Sequence, residues 1–422
     1  MKLRNYQERI AEQACAILQK HRVVMLCMEV RTGKTLTALH ITKLYGAASV
    51  LFITKKKAIS SIEKDFKHII NPVGPIHFFR LKVINYEQVG NIKSAEKYDL
   101  IILDESHCLG QFPKPAERTK KLKEICKDKP IIYLTGTPTP ESYSQLYHQF
   151  WVSSYSPWIE YPTFYKWHKD YGISKHKFIY NRAINDYTQV KEEDVLNSVK
   201  HLVISYTQEE AGFIMPVEER IINIPMLAHI ENIIKHLKRD KIHFIIKRPS
   251  DVKTIMADTA VKEMQKIHQI CSGTVIDNEG EILVFCHQKA QYIKKHFGDQ
   301  KIAIFYKYIG ELIAIMDVFD NVTNNPEEFN KKDYKGVFVS QISSGREGIN
   351  LSSADCLIMY NIDFSAVSYW QARARLQSME RQKPAIVYWL FTEGGIEKEV
   401  YDIVQGKKNF TLKHYKKSTK LK

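Results

Sequence analysis

The sequence predicts an α/β protein with two lobes, each built around a parallel sheet, and with a helical insert between them. Two regions of the chain alternate short apolar, β-branched runs with helical patterns, which is typical of doubly wound parallel sheets. A segment rich in Tyr and Trp separates these regions. The 422 residues also exceed what one hydrophobic core usually accommodates.

The strand-like runs fall into two groups of similar size. The first group is Val23–Met28, Ser49–Thr54, Lys82–Asn85, Asp99–Leu103 and Ile131–Thr135, with helical patterns over Thr35–Tyr45 and Ile59–His68. The second group is Ile282–Cys286, Ile302–Phe305, Gly336–Ser340, Cys356–Asn361 and Ile386–Phe391. These patterns predict a first lobe at 1–150, the insert at 151–220, a second lobe at 221–406 and a basic tail at 407–422.

The charge balance favours a polyanionic partner. Lys and Arg number 62 against 47 Asp and Glu, which leaves a net charge of +15 and a pI near 9.2. A surplus of this size supports nucleic-acid binding through counterion release. A lysine-rich composition without such a partner is the alternative, and charge alone does not separate the two.

Neither a membrane nor an oxidising compartment is indicated. The start of the chain has no apolar stretch suited to a signal peptide, and runs such as Val23–Met28 and Tyr98–Leu103 are only strand-sized. The seven cysteines form no C-x-x-C pair, so neither a disulfide framework nor a zinc site is expected. We therefore expect a cytoplasmic protein.

A phosphate-binding loop is predicted between the first strand and the following helix. Gly33, Lys34 and Thr35 lie at the start of that helix, where backbone N–H groups converge on an anion. Lys34 would reach the β- and γ-phosphates of ATP, the Thr35 hydroxyl would bind Mg²⁺, and Gly33 permits close backbone approach. Met28 stands where the full G-x-x-x-x-G-K-[ST] pattern has glycine, so this fragment by itself also fits a chance occurrence.

Two carboxylates follow the strand Asp99–Leu103. Asp104 would hold the metal, directly or through water, and Glu105 would orient and deprotonate the attacking water. A turn after a core strand would also explain an Asp-Glu pair. The preceding Lys-Thr loop, two α/β units earlier, favours the nucleotide site.

Three further segments extend the pattern beyond a nucleotide site. Thr135 and Thr137 follow a strand and carry hydroxyls that can sense the γ-phosphate. The loop within 339–351 is rich in Gly and Ser and can approach phosphates closely. Gln371 and Arg375 are four residues apart, on one face of a predicted helix, and an arginine brought from a second lobe is the chemistry of an arginine finger.

In this order and on these elements, the segments resemble the motifs of helicase superfamily 2, and more narrowly its Swi/Snf-type branch in the compact form found in bacteriophages. The spelling Asp104-Glu105-Ser106-His107 is similar to that of this branch rather than of RNA helicases. The resemblance covers nearly the whole chain and implies two RecA-like lobes with ATP and Mg²⁺ as cofactors. The matching segments are 3–7, 27–37, 52–55, 83–87, 104–107, 135–138, 284–287, 345–351 and 371–375.

The resemblance also implies roles for individual residues. Gln7 would read the adenine edge, and Gly345 and Arg375 would contact the nucleotide. Coupling between the lobes would involve His107, Thr135, Thr137 and Gln371, and nucleic-acid contacts would involve Thr54, Lys55, Lys56, Ser343 and Arg346.

Two departures from the family pattern leave parts of the site open. Arg31 occupies a loop position where relatives often have a small residue, although ATP binding is expected to survive. Ser378 stands where many relatives carry a second arginine, three residues after Arg375. Arg373 and Arg381 are therefore rivals of Arg375 for the arginine finger.

Two segments allow two interpretations each. The aromatic cluster Trp151–Trp167 would either form a small core or stack on bases, as in single-strand binders. The tail Lys407–Lys422 would be either a disordered solubilising segment or an extension that grips phosphates.

These observations predict an ATP-dependent DNA translocase or helicase that acts on duplex, forked or branched DNA. The expected role is fork remodelling or branch migration in replication, recombination or repair. If the chain is phage-encoded, we expect it in the host cytoplasm. A monomer is compatible with this role. A motor subunit of a restriction or nuclease complex and an RNA helicase are the alternatives. An inactive binding module is disfavoured, because Lys34, Asp104 and Glu105 are all present.

Overall fold

The computed structural model describes residues 3–67, 79–92, 94–173, 175–179, 182–213, 215–248, 251–345, 349–378 and 381–405. The chain divides into two compact units, whose described residues fall within Met1–Gly212 and Phe213–Gly406. Each unit has its own six-stranded sheet. The predicted α/β class with two lobes is therefore confirmed.

The first unit alternates strands and helices over most of its length. Its strands are β1 (Val23–Met28), β2 (Ser49–Thr54), β3 (Arg80–Asn85), β4 (Leu100–Asp104), β5 (Ile131–Thr135), β6 (Lys175–Ile179), β7 (Arg182–Asp186) and β8 (Val203–Tyr206). Its helices are α1 (Asn5–His21), α2 (Lys34–Tyr45), α3 (Ile59–Asp65), α4 (Glu117–Ile125), α5 (Gln145–Trp151), α6 (Phe164–Tyr171) and α7 (Glu192–Val199).

The sheet of the first unit has the order β3-β2-β4-β5-β1-β8, and all neighbouring strands are parallel. Every residue of β1 and β5 is buried, as expected for a parallel sheet that is covered on both faces. Because the strands are parallel, the carboxyl ends of β1, β2, β4 and β5 meet at one edge. That edge carries the segments predicted to bind the nucleotide.

The aromatic segment after residue 150 belongs to the first unit. Trp158, Phe164 and Trp167 are at most 2% exposed and share a hydrophobic core with residues of β4 and β5. The core interpretation of the cluster is thereby confirmed for these three residues. The predicted boundary at 150 is corrected to Gly212, because buried aromatic contacts and the pairing of β8 with β1 join the segment to the first sheet.

The second unit repeats the alternation and adds two hairpins. Its strands are β9 (Val217–Ile224), β10 (Ile242–Arg248), β11 (Asp251–Met256), β12 (Thr274–Ile276), β13 (Ile282–Val284), β14 (Ile302–Tyr306), β15 (Val322–Thr323), β16 (Val337–Gln341), β17 (Cys356–Met359) and β18 (Ala385–Thr392). Its helices are α8 (Ala228–Asp240), α9 (Ala260–Cys271), α10 (Gln288–Phe297), α11 (Ile309–Met316), α12 (Pro326–Phe329), α13 (Ile342–Gly345) and α14 (Ala366–Arg373), and residues 397–405 are also helical.

The sheet of the second unit has the order β15-β16-β14-β17-β18-β9, again with parallel neighbours. Strand β9 begins at Val217, inside the predicted insert, and pairs with β18 along its whole length. The predicted strand Ile282–Cys286 is corrected, because β13 ends at Val284 and pairs antiparallel with β12 outside this sheet. A short apolar run does not reveal which strand it pairs with. The sequence therefore could not distinguish a strand of the parallel sheet from a strand of a separate hairpin.

Candidate functional site

The loop between β1 and α2 is shaped by two residues with positive φ. Arg31 has a φ of 68° and Gly33 has a φ of 83°, a region that glycine occupies without strain. A Cβ atom at Gly33 would lie 2.0 Å from Gln7 Nε2. Glycine is therefore required here by both backbone conformation and the close approach of α1.

Gln7 lies behind this loop and is only 3% exposed. Its Oε1 accepts a hydrogen bond from the Arg4 backbone N–H at 2.9 Å, and its Nε2 donates to the Thr32 carbonyl at 3.4 Å. The Tyr6 hydroxyl donates to the same carbonyl at 2.9 Å. The carboxamide thus joins the start of α1 to the loop, and the adenine contact of Gln7 stays a prediction.

Lys34 opens α2 and its ammonium is held by the preceding strand. Lys34 Nζ donates to the Met28 carbonyl at 2.9 Å and to the Glu29 carbonyl at 3.3 Å. The Met28 side chain is fully buried as the last residue of β1, which accounts for the missing glycine of the motif. Thr35 follows Lys34 on α2 and is half-buried. An anion at this loop would draw the ammonium away from the two carbonyl groups.

The acidic pair lies at the carboxyl end of β4. The Asp104 carboxylate accepts a hydrogen bond from the Thr54 hydroxyl at 2.7 Å, and the Asp104 carbonyl accepts one from the Tyr86 hydroxyl at 2.6 Å. Burial and the charge of Glu105 raise the pKa of Asp104 to about 6. The Thr54 hydrogen bond and the nearby charge of Lys34 act in the opposite direction. The phosphate loop and the acidic pair therefore form one electrostatic site.

Thr54 requires a correction. It was predicted to contact nucleic acid, but it is fully buried and its hydroxyl is bonded to Asp104. Because β2 lies next to β4 in parallel register, the last residue of β2 points its hydroxyl at the acidic residue. Its hydrogen bond stabilises the ionised form of the Asp104 carboxylate.

Glu105, His107 and Thr135 are brought together across neighbouring strand ends. His107 Nδ1 lies 3.3 Å from Glu105 Oε2 and 3.2 Å from Thr135 Oγ1. The Thr137 backbone N–H donates to Thr135 Oγ1 at 3.1 Å. A Cβ atom at Gly136 would lie 3.5 Å from Lys34 Nζ, so the turn after β5 borders the phosphate loop. Of the predicted coupling residues of this unit, His107 thus lies beside the catalytic candidate Glu105, and Thr135 and Thr137 follow from it in a chain of contacts.

The predicted nucleic-acid contacts other than Thr54 lie in three places. Lys55 is half-buried and Lys56 is exposed in the turn that follows β2. Ser343 is exposed on α13, and Gly345 ends that helix in the second unit. Arg346 and the tail 407–422 lie outside the described residues.

Gln371 and Arg375 do not share one continuous helix. Helix α14 ends at Arg373, and Arg375 lies in the 3-10 turn Ala374–Leu376 that follows. The expected single helix face is therefore corrected, because the chain tightens after α14. Gln371 is 2% exposed and Arg375 is 7% exposed.

The two rivals of Arg375 are engaged in structural contacts within the second unit. Arg373 Nε lies 2.8 Å from Glu219 Oε1 in an ion pair, and its Nη2 donates to the Val217 carbonyl at 3.3 Å. The Arg381 guanidinium donates to four backbone carbonyl groups, those of Ser352, Ala354, Asp355 and Lys383. The role of Arg375 as the arginine that acts on the nucleotide stays a prediction.

Glu219 and Tyr86 are residues that the sequence did not single out. Besides its ion pair, the Glu219 carboxylate accepts hydrogen bonds from Tyr369 OH at 2.6 Å and Trp389 Nε1 at 3.0 Å. Contacts across 150 or more residues leave no local signal. Tyr86 lies in segment 83–87, which resembles a family motif, so the sequence did offer a signal for it. Its contact with Asp104 could not be predicted, because that contact depends on the order of the strands in the sheet.

Among the described residues, no helix is both long and apolar enough to span a bilayer.

Two family models match the chain. The model for the Type III restriction enzyme res subunit matches residues 1–140, and the Helicase conserved C-terminal domain matches residues 262–379. These ranges lie in the first and second units, respectively.

Curated relatives match across both units. The Drosophila melanogaster SWI/SNF-related matrix-associated actin-dependent regulator of chromatin subfamily A-like protein 1 is 20% identical over 94% of this chain and 54% of its own length. The human Lymphoid-specific helicase is 24% identical over 52% of this chain and 26% of its own length. The Gallus gallus Chromodomain-helicase-DNA-binding protein 1 is 23% identical over 67% of this chain and 17% of its own length. The chain thus spans about half the length of the first relative and less of the other two.

Proposed function

The chain belongs to helicase superfamily 2, in its Swi/Snf-type branch, and on this premise we propose that it is an ATP-driven motor that tracks along DNA. Its preferred substrate is double-stranded, forked or branched DNA, and its role is fork remodelling or branch migration in replication, recombination or repair. The observation that carries the proposal is the electrostatic site made by Lys34, Asp104 and Glu105 at one edge of the first sheet.

The residues of this site fit ATP and Mg²⁺. The Thr35 hydroxyl and the Asp104 carboxylate supply the oxygen ligands that Mg²⁺ prefers. Burial and the charge of Glu105 raise the pKa of Asp104 to about 6, and an adjacent dication would favour the ionised carboxylate. When bound, the metal would neutralise charge on the β- and γ-phosphates. Lys34 would release its carbonyl partners and bind the same phosphates.

Glu105 is the proposed base for the attacking water. Its carboxylate lies beside His107, which in turn lies beside Thr135, so the position of the base is set by neighbouring strand ends. A carboxylate that orients water and accepts its proton contributes about 10²–10⁴ in rate. His107, Thr135, Thr137 and Gln371 are proposed to couple this chemistry to the motor's movement.

Arg375 is proposed to stabilise the charge that develops as the γ-phosphate leaves. Arg373, in an ion pair with Glu219, and Arg381, bonded to backbone carbonyl groups, are its rivals for this role. Gly345 is proposed to allow close approach of backbone to the phosphates.

The DNA contacts are proposed to be with the phosphate backbone. Lys55 and Lys56 follow β2 in the first unit, and Ser343 is exposed in the second. The net charge of +15 supports a contribution from counterion release, and such contacts do not read sequence. DNA-stimulated turnover should therefore fall steeply with added salt.

A substitution of the proposed base tests this function. Glu105→Gln should lower DNA-stimulated ATP hydrolysis about a hundredfold or more, because the base is lost, while DNA binding persists. Glu124→Gln is the matched control, since its side chain is 69% exposed in an ion pair with Lys121. Phosphate release would be measured with duplex, single-stranded, forked and Holliday-junction DNA, and with RNA. Normal turnover in Glu105→Gln, or stimulation by RNA alone, would contradict the proposal.

A motor subunit of a restriction or nuclease complex is the second candidate, favoured by the family model that matches residues 1–140. Displacement of a triplex-forming strand by the isolated chain would support a motor that acts alone. Translocation that requires an added nuclease subunit, together with DNA cleavage, would support the second candidate.

A further inference from the structure

The phosphate loop is bound to the last turn of the first unit. This turn, residues 206–212, is called the exit turn because the chain enters the second unit at Phe213. The Glu29 backbone N–H donates to the Tyr206 carbonyl at 2.9 Å. The Gln208 backbone N–H donates to Glu29 Oε2 at 2.8 Å, and Gln208 Nε2 donates to the Val30 carbonyl at 2.8 Å. Three hydrogen bonds thus join segments that lie almost 180 residues apart.

The exit turn is well fixed by its own contacts. The Thr207 backbone N–H and hydroxyl both donate to Glu210 Oε2, at 2.7 and 2.9 Å. The Tyr206 hydroxyl donates to the Glu210 carbonyl at 2.8 Å, and the Tyr206 ring stacks on Tyr6 with centroids 4.8 Å apart. A displacement of the phosphate loop would therefore move the exit turn as a unit rather than be absorbed within it.

Glu29 connects the phosphate-binding lysine to the exit turn. Its carbonyl accepts hydrogen bonds from Lys34 Nζ at 3.3 Å and from the Thr32 hydroxyl at 2.8 Å. Its carboxylate accepts the bond from the Gln208 backbone N–H. If phosphate draws Lys34 away, the Glu29 carbonyl loses one of its donors, while the Glu29 carboxylate is the group that bonds Gln208. A signal of nucleotide occupancy is thereby available at the point where the chain leaves the first unit.

We propose that Gln208 is a positioning residue that transmits the nucleotide state of the phosphate loop to the exit turn, and so couples ATP binding to DNA binding. This inference rests on the proposed function, since it requires both ligands. Such coupling is reciprocal: if ATP changes the affinity for DNA by a factor, DNA changes the affinity for ATP by the same factor. That factor is typically about 5–150.

The coupling factor is measured as the ratio of DNA dissociation constants with and without AMP-PNP and Mg²⁺, using a labelled duplex. Gln208→Ala removes the donor to the Val30 carbonyl, and it should reduce the factor at least threefold towards one. The DNA affinity without nucleotide and the DNA-independent ATPase rate should stay within about twofold. Glu209→Ala is the control, because Glu209 is the exposed neighbour in the same turn, and it should keep the wild-type factor.

Gln208→Met guards against a simple loss of folding, because it retains the length of the side chain while it replaces the carboxamide that donates to the Val30 carbonyl. It should reduce the coupling factor as Gln208→Ala does, at an unchanged melting temperature. A wild-type factor in both Gln208 variants would overturn the inference, and so would a factor of one in the unaltered protein. The proposed function would fail separately, through absence of DNA-stimulated ATP hydrolysis in the unaltered protein.

Discussion

In the first unit several candidate site residues contact one another, whereas in the second unit the segment around α14 is bonded to Glu219, a residue outside the candidate segments. In the first unit Thr54 donates to Asp104, and His107 lies within 3.3 Å of Glu105 and 3.2 Å of Thr135. These contacts join the carboxyl ends of β2, β4 and β5 at one edge of the sheet.

In the second unit the segment around α14 is anchored by Glu219 on β9. Its carboxylate is paired with Arg373 and accepts hydrogen bonds from Tyr369, Trp389 and, at 3.2 Å, Tyr401. The three aromatic partners belong to the hydrophobic core of the unit. The difference teaches that the first site is assembled by contacts between strand ends, while the segment carrying Gln371 and Arg375 is held by contacts with a residue on β9 and with the core of its unit.

The largest expected effect separates Arg375 from its rivals. Arg375→Ala should lower kcat about a thousandfold, because an arginine finger contributes about 10³–10⁵. Arg381→Ala should chiefly lower the melting temperature, because it leaves backbone carbonyl groups without their donor. Steady-state kinetics gives kcat of both variants, and thermal unfolding gives their melting temperatures. Loss of turnover in Arg381→Ala at an unchanged melting temperature would reverse the assignment.

Asp104→Asn should lower ATP hydrolysis about a hundredfold and yet stabilise the first unit. Because the pKa of Asp104 is raised from 3.8 to about 6, its ionisation opposes folding, and stability is lost as the pH rises through that range. Removing the charge should raise the free energy of unfolding at pH 7 by about 2 kcal/mol and flatten its dependence between pH 4 and 6. Denaturant unfolding across this range is the measurement; a less stable variant at pH 7 would contradict the account.

Glu219→Gln tests whether Glu219, on β9, holds the segment that carries Gln371 and Arg375 in place. It should lower the free energy of unfolding of that unit by about 2 kcal/mol, because Arg373 loses a charged partner. It should also lower kcat about tenfold, by loosening the turn that carries Arg375. Glu218→Gln is the matched control on the same strand, since Glu218 pairs with Arg220, whose side chain is 53% exposed. If Glu219→Gln and Glu218→Gln changed stability and kcat equally, Glu219 would have no special role in holding the segment around α14.

Thr54→Val gives the smallest expected effect. Loss of its hydrogen bond should raise the pKa of Asp104 further, because that bond favours the ionised form. The acid limb of kcat/KM should therefore move to higher pH, by up to about one unit. Thr54→Ser retains the hydroxyl and should keep the original profile. An unmoved acid limb in Thr54→Val would mean that Asp104 does not govern it.

Much of the first site could be predicted because its signals are local. A buried apolar run followed by Gly33, Lys34 and Thr35, or by Asp104 and Glu105, specifies both a strand and the chemistry at its end. In a parallel sheet, residues at the carboxyl ends of strands reach the same edge whatever the strand order. The residue types and their strand ends were therefore sufficient to propose a nucleotide site.

The role of Thr54 could not be predicted, because it depends on which strands are neighbours. The chain order of β2, β3 and β4 does not reveal that β2 and β4 pair directly, and that pairing directs the Thr54 hydroxyl at Asp104. The boundary near Gly212 depended in the same way on the pairing of β8 with β1.

By itself, then, the sequence determined the α/β class, the two lobes, and the loops that carry Lys34, Asp104 and Glu105, because period, turn chemistry and residue type are properties of short segments. Only the tertiary structure decided that Glu219 anchors Arg373 and that Gln208 binds the phosphate loop. Those contacts join residues more than 150 positions apart, and their partners are chosen by strand order and packing, which no local pattern encodes.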